Sequence, residues 1–218
     1  FIEWLLEDEE DFYEREQETE GADGTEDSGS TVSLSERGTV ISQENGKLVI
    51  DRRSRDQEIP MGEDGWTIFV YLCGSDLESD GGAASDDIEE ALAAYPSQQI
   101  RVVYQTGGSS YWYQDISDDR LERFVLENGE LRKVDERPNA NMGDAGTLSE
   151  FLIWGVQHYP AERMGVILWD HGSGSINGVC FDEQYEYDSL SVAEMAAAFD
   201  RVYDSMTDRF EFIGFDAC

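Results

Sequence analysis

Basic side chains are scarce in this sequence: 15 Lys and Arg stand against 49 Asp and Glu, a formal net charge of -34 over 218 residues. So acidic a chain repels a phosphate backbone, which argues against nucleic acid as a partner and favours basic peptides or cations, unless the charge serves solubility alone. Cysteine is rare too. Cys73, Cys180 and Cys218 show no CxxC spacing, so neither a disulfide scaffold nor a zinc knuckle is expected, while chemistry at one thiol stays open. No stretch approaches the roughly 20 apolar residues of a membrane span, so no transmembrane segment is expected in this chain. An initiating Met is also lacking, and with Phe1 in its place the chain is expected to be a piece of a longer one whose signal or anchor lies upstream.

A composition of 39% hydrophobic and 11% aromatic residues suits a globular core, and the length allows one domain of about 100–200 residues with a tail. Thirteen acidic residues against the single Arg15 crowd residues 1–30, followed by Gly, Ser and Thr. Such a segment buries too little apolar surface to offset its ordering entropy, so residues 1–38 are expected to be an acidic disordered tail. Residues 39–64 read as a short hairpin and a linker. Thr39-Val40-Ile41-Ser42 and Lys47-Leu48-Val49-Ile50 flank Asn45-Gly46, a pair that supplies the positive φ angles of a tight turn. Arg52-Arg53-Ser54-Arg55 then forms a basic cluster, either a solvated linker or a processing site.

From residue 65 apolar runs alternate with helical periodicity, the pattern of a parallel sheet with crossover helices. Trp66 to Cys73, Ile100 to Gln105, Met164 to Trp169 and Phe210 to Phe215 are near-continuous apolar runs, as expected of strands covered on both faces. Stripes at helical spacing lie between them: Ile88, Ala91, Leu92 and Tyr95, then Leu148, Phe151, Leu152 and Gly155, then Val192, Met195, Ala196, Phe199 and Tyr203. Thr147 with Glu150 and Ser191 with Glu194 have capping-box spacing ahead of the last two. Asn128-Gly129 marks a further hairpin within 111–137.

Two features sit where a parallel sheet places its active site, at the carboxyl ends of strands. Trp169-Asp170-His171-Gly172-Ser173-Gly174 follows the third strand, and Asp216-Ala217-Cys218 follows the fourth. Alone, a Cys at a strand end is commonly a small buried hydrophobe. Together, 47 residues apart, the two leave room for a loop, a helix and a strand, close to the caspase His-to-Cys spacing of about 50. His158, the only other histidine, precedes Pro160 and reads as a capping or surface residue, and Cys73 and Cys180 read as core or loop thiols.

The segments WTIFVYLCGSDLE, TLSEFLIWGVQHYPAERMGVILWDHGSG and FIGFDAC resemble the clostripain family of cysteine peptidases, relatives of the caspases, gingipains and legumains. The resemblance spans residues 65–218 and implies a caspase-like α/β/α sandwich with a mostly parallel sheet, incomplete at its C-terminal side. It also implies cleavage after basic residues, Arg preferred over Lys, by an exported bacterial precursor, extracellular or at the cell surface. It assigns His171 as base, Cys218 as nucleophile, the amides of Gly172 and Cys218 as oxyanion-hole donors and Asp216 as the acidic partner of the P1 side chain. These roles are chemically consistent. An imidazolium lowers a thiol pKa from about 8.5 towards neutrality; glycine admits close approach of substrate; each amide donor contributes a factor of about a hundred or more; a guanidinium needs a carboxylate.

No cofactor is required by that chemistry, although Asp76-Leu77-Glu78-Ser79-Asp80-Gly81, with Asp87 beyond, resembles the opening of a calcium loop. Its alternative is an acidic loop in which Asp86 caps the next helix with Glu89 three residues on. Residues 172–200 hold no Lys or Arg, so self-cleavage between the two catalytic residues is not expected, and Arg52, Arg53 and Arg55 are the expected processing positions. Ending at Cys218, the chain is expected to need the remaining C-terminal part of the catalytic domain for activity. The competing possibilities are a non-catalytic surface module that binds a basic partner or calcium, and a peptide ligase that passes the same thioester to an amine.

Overall fold

The computed structural model describes residues 31–33, 39–44, 47–52, 63–94, 100–173, 178–206 and 209–217, with side chains from Gly65 onward. The chain divides into two units after Glu58. The first contains an antiparallel sheet of three strands, β1 (Thr31–Ser33), β2 (Thr39–Glu44) and β3 (Lys47–Arg52). Glu44 pairs with Lys47, so two residues join β2 to β3; the Asn45-Gly46 turn, the tail up to Ser30, and Arg53 and Arg55 lie outside the described residues. The acidic tail, expected to run to residue 38, gives way to paired backbone at Thr31, where Thr31-Val32-Ser33 offers uncharged, largely β-branched residues to the edge of β2.

The second unit is built on a six-stranded sheet ordered β11-β8-β4-β5-β6-β7. Its strands are β4 (Glu63–Cys73), β5 (Ile100–Gly107), β6 (Arg120–Glu127), β7 (Glu130–Pro138), β8 (Ala161–Trp169) and β11 (Phe212–Asp216). Four of them run parallel, and the β6–β7 hairpin adds antiparallel to β5. A two-stranded ribbon, β9 (Val179–Asp182) and β10 (Asp188–Leu190), lies between β8 and β11 in sequence. The helices are α1 (Ser75–Gly81), α2 (Ala83–Ala94), α3 (Ala145–His158) and α4 (Val192–Tyr203).

Both faces of the central strands are covered. Phe69, Tyr71, Val103, Val125, Val166 and Leu168 form one core with Leu148, Phe151 and Leu152 of α3 and Met195, Ala198 and Val202 of α4. The alternate residues Ile68, Val70, Leu72, Val102 and Ile167 are also buried and point to the opposite face. On that face Trp169 Nε1–H donates to Asp87 of α2 at 2.6 Å. The result is the expected α/β/α sandwich. Gly155 permits the tight seat of α3, since a Cβ there would stand 2.6 Å from the Phe69 ring.

Local expectations fare unevenly. Ser191 and Glu194 form the capping box of α4. At α3 the cap is Asp144 instead, accepting from the N–H groups of Gly146 (2.7 Å) and Thr147 (3.3 Å). Glu150, expected in a box with Thr147, pairs with Arg123 and Arg137. Asp86 lies inside the first turn of α2, which begins at Ala83. Segment 76–81 is helix α1, and Gly82 at φ +71 closes it.

Arg123 is the one fully buried guanidinium among the described residues. Its Nε–H donates to Gln105 Oε1 (2.9 Å), its Nη1 to Asp135 Oδ2 (3.1 Å) and its Nη2 to Glu150, while its plane lies 4.4 Å over the Trp154 ring. Burial lowers its pKa, an effect that Glu150 and then Asp135 oppose. Removing the guanidinium leaves buried Gln105 Oε1 without its donor and a void beside the Trp154 ring, at a cost of about 2–5 kcal/mol. Arg123→Ala is therefore expected to lower urea stability by about that amount, and Arg123→Lys to recover only part of it, because an ammonium lacks the planar fork; an unchanged midpoint in Arg123→Ala would refute the role.

Candidate active site

Three strand ends meet at one edge of the sheet. β4, β8 and β11 run parallel, so Cys73, Trp169 and Asp216 open on the same side, with Leu72 in register with Trp169 and Trp169 in register with Asp216. Asp170 N–H donates to Asp216 O at 3.2 Å, carrying the ladder one residue past the β8 strand. His171 follows Trp169 by two residues and Cys218 follows Asp216 by two. Since neighbouring strands lie about 4.8 Å apart, the register delivers the two segments side by side; Cys218 itself is outside the described residues.

Asp170 is the buried centre of this edge, 2% exposed. One oxygen accepts from Ser75 Oγ–H at 2.5 Å and the other from Phe181 N–H. Ser75 adopts φ +47 directly after β4, and Gly74, whose N–H donates to Gly107 O at 2.8 Å, leaves no room for a Cβ, which would fall 2.9 Å from Ser109. Burial pushes the Asp170 carboxyl up to about 6, against the lowering effect of Ser75 and of nearby backbone N–H groups.

One residue along each segment, His171 Nε2 lies 2.9 Å from Asp76 Oδ1 in the first turn of α1. Both side chains are about 40% exposed, at 40% and 39%, so the imidazole is anchored and still open to solvent. Helix α1 is held from below by Glu78, a fully buried carboxylate that accepts from Ser85 N–H (2.9 Å), Ser85 Oγ–H (2.6 Å) and Tyr113 N–H (2.8 Å). The acidic stretch, for which a calcium loop and a plain acidic loop were both open, turns Asp76 to His171 and Glu78 inward. Among the described residues no group of three or more His, Cys, Asp and Glu side chains is disposed to hold a metal ion.

Gly172 bridges antiparallel to Val179, and the adjoining Ser173 N–H donates to Gly178 O at 3.1 Å. Gly178 at φ +88 is obligatory, because a Cβ would lie 2.0 Å from Leu190 O. The Asp216 side chain shares the α2 face with its register partner Trp169, is half-buried, and has its pKa raised by burial and then by the charge of Asp87. Cys73 and Cys180 are buried free thiols, raised well above the usual range chiefly by burial, and so remain protonated and inert. His158 sits in the last turn of α3, its Nδ1–H donating to Trp154 O at 2.8 Å and its ring stacked on Trp154, next to the amino end of β8 and away from the site.

Sequence reasoning gave Asp170 no role and left Asp76 between the start of a calcium loop and a plain acidic loop. The available signal was positional: Asp76 lies three residues past the end of β4, beside the strand that leads to His171.

A three-layer sandwich whose parallel sheet brings a histidine segment beside a cysteine segment is of the caspase-like class. The chain belongs to the clostripain family, whose model matches residues 70–218. Clostripain from Hathewaya histolytica is 24% identical over 184 residues, which make up 69% of this chain and 33% of clostripain. The X-ray structure of iotapain, a secreted cysteine protease from Bacteroides thetaiotaomicron, matches with a TM-score of 0.56 at 17% identity, covering 73% of this chain and 47% of that one. An inactive zymogen of a Parabacteroides distasonis protease matches with a TM-score of 0.52 at 21% identity, covering 73% and 43%. The chain thus spans a third of clostripain and under half of these two solved structures.

Because Asp170 binds its proton more tightly folded than unfolded, it favours the native state below about pH 4, and that contribution is lost as pH rises to about 6. Asp170→Asn, which removes the ionisation, is expected to flatten the fall in stability across that window, measured by urea unfolding at half-unit pH steps; parallel profiles for parent and variant would contradict the assignment.

Proposed function

We propose that this chain supplies the histidine and cysteine of a secreted or cell-surface bacterial cysteine endopeptidase that cleaves after basic residues, Arg before Lys. The observation that supports this is the Trp169 to Asp216 register, in neighbouring parallel strands that His171 and Cys218 follow by two residues in the sequence, in a chain of the clostripain family. His171 takes the thiol proton, and the Cys218 thiolate adds to the scissile carbonyl. The amides of Gly172 and Cys218 donate to the oxyanion. The C–N bond then breaks, His171 returns the proton to the leaving amine, and a thioester remains. Water, deprotonated by His171, hydrolyses that thioester and frees the thiol. The sequence of steps uses protein groups alone, with no cofactor.

Asp216 is the proposed partner of a P1 guanidinium: its carboxyl is half-buried near Asp87, and a cation between two carboxylates would relieve their mutual repulsion. The acidic surface draws basic peptides towards the site. The remainder of the substrate pocket belongs to the part of the catalytic domain that extends beyond the matched third of clostripain.

The full-length protein is expected to turn over fluorogenic peptides with Arg at P1 faster than those with Lys, and Cys218→Ala to lose at least about a thousandfold in kcat/KM. Equal rates from the parent and Cys218→Ala would end the proposal. Maturation by the same specificity is expected to leave new N-termini after Arg52, Arg53 or Arg55, read by N-terminal sequencing; termini produced only elsewhere would assign maturation to another protease.

A further inference from the structure

We infer that Asp76 is the positioning residue for His171, fixing which ring nitrogen serves as the base; this rests on the peptidase reading above. Two consecutive contacts join the same two segments. Ser75 Oγ–H is bonded to Asp170 at 2.5 Å, and one residue along each segment Asp76 Oδ1 meets His171 Nε2 at 2.9 Å. The first contact is buried and the second is open to solvent. Asp76 therefore does not reach His171 from a freely moving surface side chain. Its backbone is held by Ser75 below, by the Gly74 N–H bond to Gly107 O, and by the buried Glu78 two residues on.

The chemical consequence follows from the two nitrogens of imidazole. A carboxylate can only accept, so Nε2 carries the hydrogen that Asp76 receives, and the neutral ring keeps its lone pair on Nδ1. Nδ1 then takes the Cys218 proton. The same carboxylate stabilises the imidazolium formed at that moment and so favours the thiolate. Among the described residues, Asp170 beneath the pair interacts with His171, and Tyr187 on the turn before β10 interacts with Asp76 as well as with Glu183 and with Asp80 of α1. None of them replaces Asp76 at Nε2, whose partner in the structure is the Asp76 oxygen.

An ordinary surface ion pair at this exposure contributes little to stability, which separates the two roles experimentally. In the full-length protein, Asp76→Ala is expected to lower kcat by about a hundredfold or more, with KM for a P1-Arg peptide within about threefold and the thermal midpoint nearly unchanged. Asp76→Asn keeps an acceptor but not the charge, and is expected to fall between the parent and Asp76→Ala. In a Cys218→Ala background, nitrogen-15 spectra of His171 are expected to show the Nε2–H tautomer, and Asp76→Ala to mix the tautomers. If Cys218→Ala abolishes turnover while Asp76→Ala keeps the parental kcat, the positioning role is overturned and the peptidase stands. If Cys218→Ala and the parent are equally active, the peptidase falls and the role with it. A tautomer unchanged by Asp76→Ala also overturns it, even where that variant is too unstable for kinetics.

Discussion

A carboxylate withdrawn from water must be met by donors, and at the carboxyl edge of this sheet the donors that meet Asp170 come from distant parts of the chain. Ser75 approaches from the end of β4 and Phe181 from β9, while the Asp170 N–H reaches across to β11. Uncompensated, such a group would destabilise the fold by several kcal/mol. Satisfied, it sets the spacing of three strand ends whose following residues are Asp76, His171 and the segment leading to Cys218. A buried polar knot of this kind matters because the groups above it are open to solvent and would otherwise be free to turn. The chemistry proposed for His171 depends on its neighbour in the chain having no freedom left.

The central strands were legible because β4, β5 and β8 are apolar at successive positions, which only a strand covered on both faces requires. The position of His171 followed from the rule that parallel sheets work at their carboxyl ends. Helix α1 was not legible: Ser75-Asp76-Leu77-Glu78-Ser79-Asp80-Gly81 has no apolar stripe, and the contacts that hold it come from Ser85 in the next helix and from Tyr113, far along the chain. Its spaced carboxylates fitted an ion loop and a plain acidic loop equally, because sequence shows their order and not their donors. At α3 two capping residues competed, and Asp144 prevailed because its carboxylate meets two N–H groups at once. Glu150 was then available to Arg123, a pairing invisible until β6 and α3 lie against each other. The β9–β10 ribbon, with strands of four and three residues, is too short for any period to register.

Arg123 and Glu78 show how so acidic a chain spends its internal charge. One cation on β6 gathers Asp135 and Glu150 from β7 and α3, and one anion on α1 gathers backbone and hydroxyl donors from α2 and the 108–116 loop. Arg123 ties α3 to the sheet, while Glu78 ties α1 to α2 and to the loop that follows β5.

The two borders of the sheet are unlike. Along β7, Arg132, Lys133, Asp135, Glu136 and Arg137 crowd the outer strand, with Lys133 paired to Glu122 and Glu136 and Arg137 to Asp135 and Glu150. A stranger strand docking there would have to strip water from that ladder of charge. β11 instead shows Ile213 and Phe215 at 43% and 52% exposure. The sheet therefore has one border sheathed in paired charge and one that presents apolar side chains to solvent, the latter on the strand that leads to Cys218.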